Sequence, residues 1–113
     1  MWLTIGQRQF AVTLADTEAA REFESMLPLC LDMDDLNRNE KHANLPKALP
    51  TETIEPKTIK KGDLMLWGSR TLVVFYKKFD TSYSYTRLGH IEDAADLPKE
   101  LGSKNVLVKF SKQ

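Results

Sequence analysis

Asp63-Leu64-Met65-Leu66-Trp67, then Gly68-Ser69-Arg70, then Thr71-Leu72-Val73-Val74-Phe75-Tyr76 is the stretch that decides the fold. Two short runs rich in apolar and aromatic residues flank a break led by glycine, the pattern of a β-hairpin. Leu72 to Tyr76 is the most apolar run in the chain and suits a central strand.

Working outward, the N-terminal side holds another hairpin. Gly6-Gln7 fits a two-residue type II′ turn, which takes Gly at its first central position. That turn sets Leu3 opposite Phe10 and Ile5 opposite Arg8, and puts Phe10, Val12 and Leu14 on one face. Asp16 or Thr17 caps a helix over about 17–27, whose stripe is Ala19, Ala20, Phe23, Met26 and Leu27. Pro28 stops it. Leu29, Leu31 and Met33 then alternate with Cys30, Asp32 and Asp34 as a half-buried strand. From Asp35 to about Lys61 no period survives, and Pro46, Pro50 and Pro56 interrupt the chain. This reads as a long ordered segment crossing the body, tied down by Leu45, Leu49, Ile54 and Ile59.

On the C-terminal side, Phe79 to Ser82 forms a turn. Ser82 to Ile91 reads as a strand with Tyr83, Tyr85 and Arg87 on one face and a bend or bulge at Gly89. A short helical turn follows near 94–101, ended by Gly102. Val106, Val108 and Phe110 alternate in a last strand. Seven or eight short strands with one or two helices predict a mainly β fold, a closed or nearly closed barrel. Phe10, Val12, Phe23, Leu31, Leu66, Val73, Phe75, Val106 and Val108 are its expected core, in one contiguous cluster.

The chain has 113 residues, the length of one domain spanning 1–113. Sixteen basic residues balance sixteen acidic ones, which argues against nucleic acid or anionic membrane as partner. No apolar run is long enough to span a bilayer, and no secretory signal is expected from the first residues. The single cysteine, Cys30, allows no internal disulfide and suits a cytoplasmic setting.

Chemistry-bearing motifs are few. Asp35, Asn37 and Asn39 match the first half of a calcium loop. Glu40 and Pro46 stand where that loop needs Gly and Glu, so no metal site is expected. No nucleophile elbow, phosphate loop or dinucleotide fingerprint is present, so no cofactor is expected. His42 and His90 carry no local signature of a base. The suggestive set is aromatic and basic: Trp67, Tyr76, Phe79, Tyr83, Tyr85 and Arg87, of which Trp67, Phe79, Tyr83, Tyr85 and Arg87 are the candidate ligand residues. Such a wall can hold a peptide or stack a planar ligand, with Arg87 fixing an anionic or carbonyl group.

Taken in order, Leu27-Pro28-Leu29-Cys30-Leu31-Asp32-Met33, Asn39-Glu40-Lys41, Leu45-Pro46, Leu49-Pro50, Gly62 to Gly68, Leu72 to Tyr76 and Ser82 to Gly89 resemble the bacterial cyclophilin-like fold family. The resemblance covers essentially the whole chain. It implies a compact closed β-barrel capped by a helix, as in peptidyl-prolyl isomerases. The Phe-His-Arg and Asn-Gly-Ser/Thr-Gln-Phe-Phe segments that line the proline pocket of true cyclophilins are missing here. The expectation is therefore a module binding a peptide or small molecule on the Tyr83, Tyr85 and Arg87 face. The alternative is a minimal prolyl isomerase using Arg87, with Arg38 behind it, to donate to the prolyl nitrogen. A third reading makes the exposed aromatics the interface of a homodimer.

Overall fold

In the computed structural model, which describes residues 1–113, β1 (Trp2–Ile5) and β2 (Arg8–Leu14) pair antiparallel. Leu3 lies opposite Phe10 and Ile5 opposite Arg8, the register the Gly6-Gln7 turn predicts. Gly6 supplies the positive φ, 59°, that this turn needs. Helix α1 (Glu18–Ser25) is capped by Thr17, whose hydroxyl accepts from the Ala20 amide at 3.1 Å. It ends two residues before the expected Leu27.

Strand β3 (Leu29–Leu36) turns directly into β4 (Glu40–Asn44), so part of the segment expected to be irregular is a hairpin. Asn37 and Arg38 both take a φ of 56°, and the Asn39 amide donates to the Leu36 carbonyl, the geometry of a type I′ turn. Two-residue strands β5 (Thr53–Ile54) and β6 (Thr58–Ile59) follow, then the central hairpin of β7 (Asp63–Trp67) and β8 (Thr71–Phe75). Phe79–Asp80, expected as a turn, forms β9 and pairs with β6. Strand β10 spans Tyr85–Ile91 and starts three residues later than expected, leaving Tyr83 outside it. A 3-10 turn (Ala94–Asp96), helix α2 (Leu97–Leu101) and β11 (Val106–Ser111) complete the chain.

Eight strands run in the order β2-β1-β11-β3-β4-β8-β7-β10, and pairing of β10 with β2 closes the barrel. Closure depends on Gly89. The register of β10 against β7 shifts between Arg87 and Gly89, a bulge that bends the strand. A Cβ on Gly89 would lie 2.5 Å from the Thr13 carbonyl oxygen of β2, so only glycine admits this approach. No helix is long and apolar enough to cross a membrane.

The interior holds Leu3, Phe10, Met33, Leu66, Leu72, Val74, Leu88 and Phe110, among others. Helix α1 contributes Phe23, whose ring meets Phe110 edge to face at 5.7 Å. Phe10, Val12, Leu66 and Val108 are buried there as expected, while Leu31 and Val106 are half-buried at its margin.

The expectation of one contiguous core needs correcting. Val73 and Phe75 point out of the barrel and join Ile59, Met65 and Tyr85 in a second cluster, against which Phe79 packs. Strand alternation forces this division: Leu72 and Val74 face the interior, so Val73 and Phe75 face the other way. The β6–β9 ribbon brings Ile59 and Phe79 over this outer face. Of the expected anchors, Leu45, Leu49 and Ile59 are buried. Ile54 is exposed and pairs with Tyr85 at the sheet edge.

Candidate functional site

The pairing registers place one row of residues across the outer face. Asp34 lies opposite His42, His42 opposite Val73, Val73 opposite Met65, and Met65 opposite Arg87. The middle of this row is the buried outer cluster. It divides the face into two recesses with different chemistry.

On the β3–β4 side is a groove of about 820 Å³, within the usual size range of small-ligand sites. Alternation puts Cys30, Asp32 and Asp34 of β3 on its floor and rim, with Glu40 and His42 of β4 beside them. Its other wall is aromatic: Trp67, Phe79, Tyr83 and Tyr85. Trp67 is 53% exposed and Tyr83 64% exposed, so each offers a free ring face. Tyr85 is only 4% exposed, wedged edge-on against Phe75 with centroids 5.5 Å apart. Four of the five sequence-identified ligand residues therefore line one groove.

Arg87 does not join them. It lines the second recess, a polar one, with Thr58, Lys60, Asp63 and His90. There Asp63 is almost fully buried. One of its oxygens accepts from the Lys60 amide at 2.8 Å. The other lies 3.6 Å from Arg87 Nη1 and 3.5 Å from His90 Nδ1. Arg38, the second candidate, sits in the β3–β4 turn and does not line the groove. Alternation along β10 does put Tyr85 and Arg87 on one face, but buried Met65, Val73 and Phe75 stand between Arg87 and the groove.

Glu40 and His42 are groove residues that sequence reasoning passed over. The signal was their two-residue spacing, hidden because the inward position between them is charged. Lys41 is fully buried, and its ammonium donates to Asp35 Oδ1 at 3.0 Å and to the Lys104 carbonyl at 2.6 Å. It also lies 5.5 Å from the centre of the Tyr76 ring. The Tyr76 hydroxyl donates to the same Asp35 oxygen. Burial pushes the Asp35 carboxyl up. Hydrogen bonds from Tyr76, Lys41 and the Arg38 amide, with the Lys41 charge, outweigh it and hold the group below its ordinary value. The cost of burial, with the Asp35 carboxylate adding, raises Tyr76.

Glu40 behaves oppositely. Burial, reinforced by the negative charge of Asp35, raises its carboxyl to about 7. Tyr85 is raised by burial and by the charge of Glu40. The folded chain thus holds a proton on Glu40 that the unfolded chain releases near 4.5. Between those values the folded state binds more protons, so stability falls as pH rises toward 7 and stays reduced above it. Glu40→Gln should flatten this dependence and be more stable than the native chain at pH 8, by roughly 1–3 kcal/mol. Denaturant unfolding at pH 5 and pH 8 checks it; parallel losses in the two proteins would show that Glu40 carries no such penalty.

No three His, Cys, Asp or Glu side chains converge in a geometry that could hold a metal ion.

The structure is a closed eight-strand β-barrel with a helix packed against it and a half-aromatic, half-acidic groove on its outer face. The chain belongs to the Cyclophilin-like family, whose sequence model matches residues 3–111. No curated protein and no solved structure matches it.

Proposed function

We propose that the protein is a non-catalytic module that holds a peptide or a small organic ligand in the outer groove. The observation that carries this reading is the concave aromatic wall of Trp67, Phe79, Tyr83 and Tyr85 facing the polar strands β3 and β4. A site with flat apolar contact on one side and directional polar groups on the other suits ligand capture. The exposed single thiol of Cys30 is in keeping with a reducing compartment such as the cytoplasm.

A prolyl isomerase of the cyclophilin kind needs a donor aimed at the prolyl nitrogen, to weaken the double-bond character behind the ~20 kcal/mol barrier. No Lys or Arg lines the groove, so the binding reading is favoured.

Backbone and indole NMR shifts recorded with a panel of neutral aromatic compounds and short neutral peptides test this. Shifts should cluster at Trp67, Tyr83, His42 and Asp34, and a protease-coupled assay on an X-Pro peptide should show no acceleration. Shifts confined to the Lys60–Arg87–His90 recess would overturn the assignment of the groove. Isomerase activity abolished by Arg87→Ala would overturn the non-catalytic reading.

A further inference from the structure

We propose that the occupant of the groove is an extended peptide segment carrying cationic side chains at alternate positions, an inference that rests on the groove being a ligand site.

Charge complementarity is the first argument. The exposed carboxylates of Asp32 and Asp34 line the groove, and no Lys or Arg does. Two cations flank it without lining it: Arg38, in the turn between groove residues Asn37 and Asn39, and Lys109, opposite Cys30 on β11. The groove is therefore a negative strip on a chain whose net charge is zero. Low-dielectric aromatic walls strengthen such a field locally.

Spacing is the second argument, and it selects a peptide over a small amine. Asp32 and Asp34 stand two residues apart on one strand face, about 6.6 Å along the strand. An extended peptide lying along β3 repeats its own side chains at the same interval. Each alternate cation then meets one carboxylate. A small amine satisfies one of them and leaves the other solvated.

The opposite wall is the third. Trp67 and Tyr83 present exposed ring faces, on which a guanidinium stacks while still reaching a carboxylate. A cation beside Glu40 also favours release of the proton that burial and the charge of Asp35 hold on it.

The experiment compares fluorescent hexapeptides of alternating arginine and phenylalanine with counterparts carrying citrulline or glutamate in place of arginine. Citrulline keeps the shape and removes the charge. Affinity is read by anisotropy, and occupancy of the groove by the rate of Cys30 alkylation. The arginine peptide should bind at least about tenfold more tightly than the citrulline peptide, a difference of about 1.4 kcal/mol. It should slow alkylation, and weaken with salt. The exposed pair substitution Asp32→Asn with Asp34→Asn should bring its affinity to that of the citrulline peptide, with an unchanged thermal midpoint.

Equal binding and equal protection by the citrulline or glutamate peptide would overturn the charge argument while leaving the groove as a ligand site. Binding of the arginine peptide without protection of Cys30 would place it elsewhere and overturn the proposal. Binding of agmatine with no binding of the arginine peptide would replace the peptide by a small organic cation. If none of these probes bound and no neutral compound shifted groove resonances, the groove reading would fall together with the proposal.

Discussion

Phe75→Ala should lower stability by about 3–5 kcal/mol and take the groove with it. Phe75 is completely buried, yet it belongs to the cluster outside the barrel. Its ring meets Phe79 at 5.7 Å and Tyr85 edge-on at 5.5 Å, and both of those residues wall the groove. Removing it leaves a cavity under the β6–β9 ribbon, which is too short to hold itself without that contact. The thermal midpoint should fall by roughly 10–20 °C. Ligand-induced NMR shifts at Tyr85 and Phe79 should vanish even where the barrel is still folded. Phe75→Leu keeps most of the volume and should retain both. A loss under about 1 kcal/mol for the alanine variant would show that the outer cluster is not a structural core.

Lys41→Met should cost a similar amount, about 3–5 kcal/mol, because it strands a carboxylate. The Lys41 ammonium is fully buried, and the Asp35 side chain retains 14% exposure. With the lysine gone, Asp35 keeps the Tyr76 hydroxyl and the Arg38 amide but loses its counter-charge. Adding Asp35→Asn to Lys41→Met should recover a large part of the loss, since a neutral amide no longer needs that charge. The native pair also gives a pH signature. Asp35 is held below its ordinary 3.8, so its stabilisation is present above that pH and fades as pH falls through the folded value. The double variant should lack this acid-limb dependence. Chemical denaturation of the two single variants and the double closes the cycle. A Lys41→Met protein as stable as the native one would show that the pair contributes nothing net.

The same lysine explains why part of the fold was illegible. Strand β4 reads Glu40-Lys41-His42-Ala43-Asn44, with no apolar alternation to mark it. Its inward position is occupied by a charge whose partners, Asp35 and the Lys104 carbonyl, lie 6 and 63 residues away in sequence. Binary pattern fails wherever an interior position is filled by a polar group satisfied at long range. The turn feeding β4 is partly hidden for a related reason. Asn37 suits the first of its two positive-φ positions, but Arg38 takes a φ of 56° at the second, where Gly is the usual residue, so the turn is only half announced.

By itself the sequence determined the elements whose causes are local. The Gly6-Gln7 turn sets the register of β1 on β2, Thr17 starts α1, and the apolar alternation of β11 assigns its inward face, whereas β7 and β8 are apolar on both faces and left theirs open. It also pointed to the aromatic half of the chain, but not to which rings share a groove: Trp67, Phe79, Tyr83 and Tyr85 line it, while Tyr76 turns into the barrel and Phe75 is buried in the outer cluster. Tertiary structure alone decided which polar residues meet them. Asp34, Glu40 and His42 reach the groove through pairing of β3 with β4 and of β4 with β8, contacts that no local period encodes. Arg87 shares an alternating face with Tyr85, yet the outer cluster built around Val73, Met65 and Phe75 separates it from the groove and leaves it beside Asp63 and His90. Alternation along one strand states which side a residue faces. Only the strands packed against it, and what their own side chains bury, determine what it faces there.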